Sequence, residues 1–274
     1  AAKLKKMGMG CLVGVGAGAK EEPALIVMEY KNKPLNKKPI LLVGKGICFD
    51  SGGINLKTQS LEEMKYDMAG AASVLGVMEI LGKLKPKLHV IGIAVCAENM
   101  PSGTATKPGD VLTAFDGTTV EVTNTDAEGR LVLGDAIAYA VKTYEPQALV
   151  TIATLTGAAA IALGYDITAL VTNHHDLARP IKEAGKAVHE KVWELPCEKE
   201  YKKHLKSPIA DLNNHNPAAA ASTIMGALFL EHFTKGTPWV HLDIASTAWT
   251  KDDKPYTPKG ATGRPVRTLW KFLK

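Results

Sequence analysis

Ile40-Leu41-Leu42-Val43-Gly44-Lys45-Gly46 places an almost unbroken apolar run directly before a lysine framed by glycines. Runs of the same kind recur at Leu25-Ile26-Val27-Met28, Val90-Ile91-Gly92-Ile93-Ala94-Val95, Leu149-Val150-Thr151-Ile152-Ala153 and Val240-His241-Leu242-Asp243-Ile244. Short and mostly apolar, they read as strands covered on both faces. Helices fill the gaps. Ser60-x-x-Glu63 is a capping-box pattern opening a helix towards Leu84, and further helices are expected over 130–144, 180–192, 222–233 and 265–273. This alternation specifies an α/β fold, a mixed and largely parallel sheet sandwiched between helices.

In open α/β sheets, ligands collect beyond the carboxyl ends of strands. Lys45 follows one expected strand, Thr154-Leu155-Thr156-Gly157 a second and Ala245 a third, while Asp126 follows the strand-like run Thr119-Val120-Glu121-Val122. The four segments are expected to converge on one crevice. Around Lys45, glycines at 44, 46, 52 and 53 permit sharp turns and close approach of a ligand, and Asp50, Lys57 and Asp67 lie in or just after the same stretch.

Asn124-Thr125-Asp126-Ala127-Glu128-Gly129-Arg130-Leu131 sets two carboxylates and a guanidinium at alternate positions. In an extended loop they would point to one side, as a cation site needs, although the same residues also read as an acidic helix start. The upstream constellation favours the site. Asp50, Asp67, Asp126 and Glu128 supply four negative charges, too many to gather without protons or cations, and two divalent ions would balance them. No His-Glu-x-x-His helix is present, and His174-His175 is expected in a loop. Oxygen donors suit Mg²⁺ and Mn²⁺, and Zn²⁺ also accepts carboxylates, so the residue types leave the metal open.

The two motifs resemble the leucyl aminopeptidase (cytosol aminopeptidase) family of dinuclear metallopeptidases. Its signature Asn-Thr-Asp-Ala-Glu-Gly-Arg-Leu is complete at 124–131, and Lys-Gly-x-x-x-Asp-Ser-Gly-Gly stands at 45–53. The likeness runs from Met7-Gly8-Met9-Gly10-Cys11 to Gly260-Ala261-Thr262-Gly263-Arg264-Pro265. It implies one ion held by Lys45, Asp50, Asp67 and Glu128 and a second by Asp50, Asp126 and Glu128, with Zn²⁺ or Mn²⁺ expected and Mg²⁺ admitted. A lysine ligand must be neutral, so a nearby cation has to drive off its proton. By the same resemblance, a water between the ions attacks the scissile carbonyl, Lys57 stabilises the oxyanion, and Arg130 holds a bicarbonate that serves as general base.

The ion beside Asp67 is expected to receive the free α-amino group of a peptide. Met64, Thr154, Gly157, Ala245 and Ala248 are expected to form the pocket for the first side chain, Leu or Met, with the Leu155 carbonyl orienting the backbone. The resemblance further implies a hexamer and a cytoplasmic location. The family normally carries an additional domain before the segment matching Met7, to which nothing here corresponds, so residues 1–274 are expected to be an isolated catalytic domain.

Several positions depart from the pattern. The stretch between Lys57 and Asp67 is one residue shorter than in relatives, Cys48 stands where threonine is common, and Ser246 replaces a usual glycine. Asn214-His215-Asn216-Pro217 precedes four alanines where relatives often carry glycines and an arginine. None of these removes an expected metal ligand.

Composition agrees with an enzyme domain. At 274 residues and 46% hydrophobic, the chain can bury a large single core. Its net charge of +5 invites a nucleic-acid reading, but the lysines are scattered, with modest clusters at Lys3, Lys5 and Lys6 and over 31–38. No arginine-rich or aromatic-interleaved block accompanies them, so solvated faces are the expected use. Cys11, Cys48, Cys96 and Cys197 form no Cys-x-x-Cys pair and are expected to be buried thiols of a reducing compartment. No membrane segment is expected. Two rival readings are a catalytically inactive homologue, opposed by the complete residue set, and a nucleic-acid-binding protein.

Overall fold

The apolar runs assemble into one seven-stranded sheet with helices on both faces, in a computed structural model that describes residues 1–32 and 38–274. Residues 33–37 of the lysine cluster over 31–38 lie outside the described residues. In chain order, α1 (Ala2–Met7) and α2 (Gly10–Val15) precede β1 (Ala24–Lys31), β2 (Ile40–Asp50), α3 (Ala69–Leu84) and β3 (His89–Asn99). Then come β4 (Val111–Thr113), β5 (Thr119–Glu121), α4 (Glu128–Tyr144), β6 (Ala148–Ala153), α5 (Ala158–Leu163) and β7 (Thr168–Thr172). The chain continues through α6 (His175–Ala187), β8 (Val192–Glu194), β9 (Leu212–Asn213), α7 (Ser222–Phe233), β10 (Trp239–Asp243), β11 (Trp249–Thr250), β12 (Gly260–Ala261) and α8 (Val266–Leu273).

The sheet order is β1-β3-β2-β6-β10-β7-β8. The central pairs β3·β2, β2·β6 and β6·β10 are parallel, as is β7·β8, whereas β1·β3 and β10·β7 are antiparallel. The expected α/β class, mixed and largely parallel, is therefore what forms. Parallel strands need cover on both faces, and two apolar clusters provide it. One joins Leu41, Val43, Ile93 and Leu149 to α2, α4 and α7, and the other joins Leu42, Val90, Val150 and Leu242 to α3, α6 and α8.

Several sequence expectations need correction. The run 25–28 is not doubly covered: β1 is an edge strand, and Ile26 and Val27 are exposed. The capping box at Ser60 does not form, because Ser60 sits at φ 51° without a side-chain cap and only a 3-10 segment, Leu61–Tyr66, follows. The continuous helix begins later, at Ala69, which leaves Asp67 in the break between the two. The helix expected over 180–192 instead spans His175–Ala187 and ends before β8. His175 thus opens a helix rather than lying in a loop, and Pro180 is tolerated in the second turn. Of the cysteines only Cys11 is fully buried. Cys48 is exposed at a register shift between β2 and β3, the other two are partly covered, and all four are free thiols.

β4, β5 and β9 form a separate three-stranded sheet. The strand-like run at 119–122 forms β5, whereas β4 and β9 are too short to give a strand signal, and this small sheet delivers Asp126 to the crevice. Among the described residues, no helix is long and apolar enough to cross a membrane.

Candidate active site

Lys45 does not follow its strand; it lies inside β2, whose parallel pairing continues to Gly44 on one side and Asp50 on the other. Its side chain runs against Gly129 in the first turn of α4, where an added Cβ would lie 2.7 Å from Nζ. Any larger residue at 129 would displace the lysine. Nζ then reaches Asp67 Oδ2 at 2.9 Å and Glu128 Oε1 at 2.8 Å, and it donates to the Thr154 carbonyl at 3.0 Å. The Thr154 hydroxyl in turn donates to Asp67 Oδ1 at 2.6 Å. One ammonium group therefore ties together β2, the break before α3, the start of α4 and the end of β6.

A second lysine does the same beside it. Asp50 ends β2, and its Oδ1 accepts from Gly52 N at 2.9 Å and Asn99 Nδ2 at 2.8 Å. Gly52 turns the chain there with φ +88°, a conformation that favours glycine. Asp50 Oδ2 faces Lys57 Nζ at 2.9 Å, and the same ammonium contacts Asp126 Oδ1.

Glu128 and Arg130 reach the site from the first turn of α4, not from an extended loop. The helix-start reading is therefore what forms, and both side chains still line the crevice. Carboxylate oxygens of Asp50, Asp126 and Glu128 lie within 4.8 Å of one another, a group able to hold a cation, and Asp67 joins them through Lys45.

Electrostatics describe a strained balance. Four carboxylates face two ammonium groups, which leaves an excess of negative charge in a mostly buried place. Burial opposes the charge on Lys45, but Asp67, Glu128 and Asp50 outweigh it and hold its pKa well above the ordinary lysine value. Burial likewise raises Asp67, with Lys45 pulling it down and Glu128 pushing it further up. Glu128 is raised by burial and by Asp50, and Asp126 by burial against the pull of Lys57. Among the described residues, Glu128 Oε2 is buried with no hydrogen-bond partner. A buried carboxylate oxygen left unpaired is costly, and a divalent cation would relieve that cost and the charge excess together. The residues present therefore fit such ions.

Arg130 is buried beyond this cluster and donates from Nη1 to the Asn214 carbonyl at 2.7 Å. Burial lowers its pKa to about 10, so it stays charged at neutral pH. Among the described residues its buried Nε has no partner, which leaves one N–H of the guanidinium unused.

A cavity of about 710 Å³ opens over these groups, lined by Lys45, Asp50, Lys57, Met64, Asp67, Asp126, Glu128, Arg130, Thr154, Leu155, Gly157 and Ala245. All but one of the expected metal, catalytic and substrate residues meet here, while Gly44, Gly46, Gly52 and Gly53 do not line the cavity. Ala248 is the exception: 2% exposed, it packs with Ile244 and Leu269 behind the wall. Trp249, stacked on Tyr66 with ring centroids 6.2 Å apart, lines the cavity instead. A larger depression of about 930 Å³ lies along β8, but its Glu194 is already paired with His175 and Lys182, and nothing there matches the carboxylate cluster.

Sequence reasoning missed the residues that hold this site in shape. Asn99 bridges Asp50 to the Thr125 carbonyl, and Asn55 exchanges hydrogen bonds with Thr125. Asp243, fully buried at the end of β10, accepts from the amides of Leu155, Thr156 and Ala245 and from the Thr156 hydroxyl. An aspartate in an apolar run was the one visible signal; the asparagines gave none.

A carboxylate-rich crevice at the strand ends of an α/β sandwich is a site class open to divalent cations. The chain belongs to the cytosol aminopeptidase family, whose catalytic-domain model matches residues 1–270. It is 51% identical over 272 residues to a probable cytosol aminopeptidase of Azotobacter vinelandii, covering 99% of this chain and 54% of that protein. Against a probable cytosol aminopeptidase of Geobacter sp. strain M21 the identity is 48% over 273 residues, covering 99% and 55%. Among solved structures, the bottromycin maturation enzyme BotP superposes with a TM-score of 0.92 at 40% identity, covering all of this chain and 59% of that one. The chain spans about half the length of the curated relatives it matches.

Proposed function

We propose that residues 1–274 form the catalytic domain of a dinuclear metal-dependent aminopeptidase that removes an N-terminal residue, preferably Leu or Met, from peptides. The observation that carries this reading is the gathering of Asp50, Asp67, Asp126 and Glu128 around Lys45 and Lys57 in one cavity. Family membership supports it.

Lys45, Asp50, Asp67, Asp126 and Glu128 would hold the ions, Zn²⁺ or Mn²⁺ with Mg²⁺ admitted, and Lys45 would give up its proton to take part. Bound there, two divalent ions would supply a water of lowered pKa and a Lewis acid for the carbonyl. Lys57, less buried than Lys45, donates to the oxygen on which negative charge develops. Arg130 would hold a bicarbonate ion through its unpaired guanidinium N–H, and that anion would supply a general base.

The Asp67 end of the cluster takes the free α-amino group, which restricts cleavage to peptide N-termini. Met64, Thr154, Gly157 and Ala245 form the wall for the first side chain, with Trp249 taking the part expected of Ala248, and the Leu155 carbonyl orients the backbone. A hexamer and a cytoplasmic location accompany the family reading.

The test is metal analysis together with hydrolysis of leucine amide, with and without added Mn²⁺ or Zn²⁺. Turnover that rises with bound metal is the expected result. A metal-loaded protein without turnover would make the chain an inactive homologue.

A further inference from the structure

We infer that Asn214 is a positioning residue that sets both the Asp126 loop and the Arg130 guanidinium. Its functional consequence rests on the metal-dependent reading above. Asn214 is fully buried directly after β9, and its amide donates to the Glu121 carbonyl at 3.0 Å, extending the β5·β9 pairing. Its side chain then clasps the loop that leaves β5. Oδ1 accepts from Thr123 N at 2.9 Å, the Thr123 hydroxyl at 3.2 Å and Asn124 N at 3.2 Å. Nδ2 donates to the carbonyls of Asn124 at 2.7 Å and Ala127 at 3.2 Å.

These contacts bracket Asp126, whose own amide donates to Asn124 Oδ1 at 2.8 Å. Asn124 is thus held by Asn214 at both its amide and its carbonyl, and it passes that order to the carboxylate-bearing residue. The Asn214 carbonyl meanwhile accepts from Arg130 Nη1 at 2.7 Å. One residue therefore fixes the spacing between an expected ligand and the expected anion holder, which otherwise belong to a loop and a helix.

Only a primary amide can satisfy this place. It presents acceptor lone pairs to two N–H groups and two donor hydrogens to two carbonyls from one planar group; a carboxylate would set lone pairs against both carbonyls. Groups that orient a metal ligand from behind typically change metal affinity about 10–100-fold when removed.

Asn213 provides an internal comparison. It is also buried, but its side chain donates to the carbonyls of His204 and Lys206, away from the loop. Asn214→Ala and Asn213→Ala can be compared by Mn²⁺ titration calorimetry of the metal-free chain and by amide hydrogen exchange over residues 123–127. Asn214→Ala is expected to weaken Mn²⁺ binding by about 10–100-fold and to lose exchange protection in the loop. Asn213→Ala is expected to lower thermal stability while keeping both. Asn214→Ser is the milder substitution, with the same direction expected if the alanine variant does not fold.

Mn²⁺ affinity equal to wild type in the Asn214 variants, or an equal loss in Asn213→Ala, overturns the inference. If the wild-type chain bound neither Mn²⁺ nor Zn²⁺ nor Mg²⁺, the metal reading would fail by itself. The exchange comparison would still decide the clasp, and unchanged protection would refute it.

Discussion

The ammonium of Lys45 and the carboxylate of Glu128 stand 2.8 Å apart, both buried, one from the interior of a strand and the other from the first turn of a helix. Among the described residues Glu128 Oε2 has no hydrogen-bond partner, and a carboxylate oxygen of Glu128 lies within 4.8 Å of oxygens of Asp50 and Asp126. Glu128→Ala is expected to lower metal content and reduce hydrolysis of leucine amide to background while leaving the circular-dichroism spectrum unchanged. Turnover at the wild-type level would remove the dinuclear assignment.

Lys57 lies between Asp50 and Asp126 and is partly open to the cavity. If it acts on the developing oxyanion, Lys57→Ala should depress kcat by roughly 10²-fold or more, with metal content unchanged. Loss of metal together with rate would instead make Lys57 a support for the two carboxylates.

The free amino end gives a substrate-side test. Acetylation removes its charge and its capacity to coordinate and adds bulk, while Lys57 and the carboxylates are untouched. Leucine amide or an N-terminal Leu dipeptide should be cleaved, and the acetylated counterpart scarcely at all. Comparable kcat/KM for both would argue against an exopeptidase site.

His241 predicts a pH dependence of stability apart from catalysis. It is fully buried, stacked on Trp239, with Nδ1 against the Thr151 hydroxyl at 2.9 Å. Burial lowers its pKa to about 3. The unfolded chain binds a proton near the ordinary histidine value, about 6.5, and the folded chain does not, so stability is present above that pH and falls as pH drops towards 3. Each unit of difference corresponds to about 1.4 kcal/mol, so the loss over the window is on the order of a few kcal/mol. Urea midpoints of wild type and His241→Gln measured between pH 7 and 4 should converge on acidification. Parallel curves would show that His241 takes no part.

The central strands and most of the long helices were legible because burial imposes a local period. Val90 to Val95 and Leu149 to Ala153 are mostly apolar and form covered strands, and α4 and α7 announce themselves by length and apolar content. Edges were not legible. Leu25 to Met28 looks as apolar as the central strands, but only neighbours in space make a strand central, and β1 has β3 on one side alone. The helix expected from Ser60 failed for a similar reason: the segment must break to bring Asp67 against Lys45 and Thr154, and that contact outweighs the capping pattern.

By itself the sequence determined the fold class and the set of groups that carry charge into the crevice. Both are written in short-range features: apolar period, glycine-framed turns, and lysines and carboxylates at strand ends. Tertiary structure alone decided that Lys45 lies within β2, that Trp249 rather than Ala248 faces the cavity, and that Asn99, Asp243 and Asn214 hold the loops in place. Those roles are hydrogen bonds between residues far apart in the chain. A buried amide or carboxylate is defined by the partners that surround it, and such partners leave no local pattern to read.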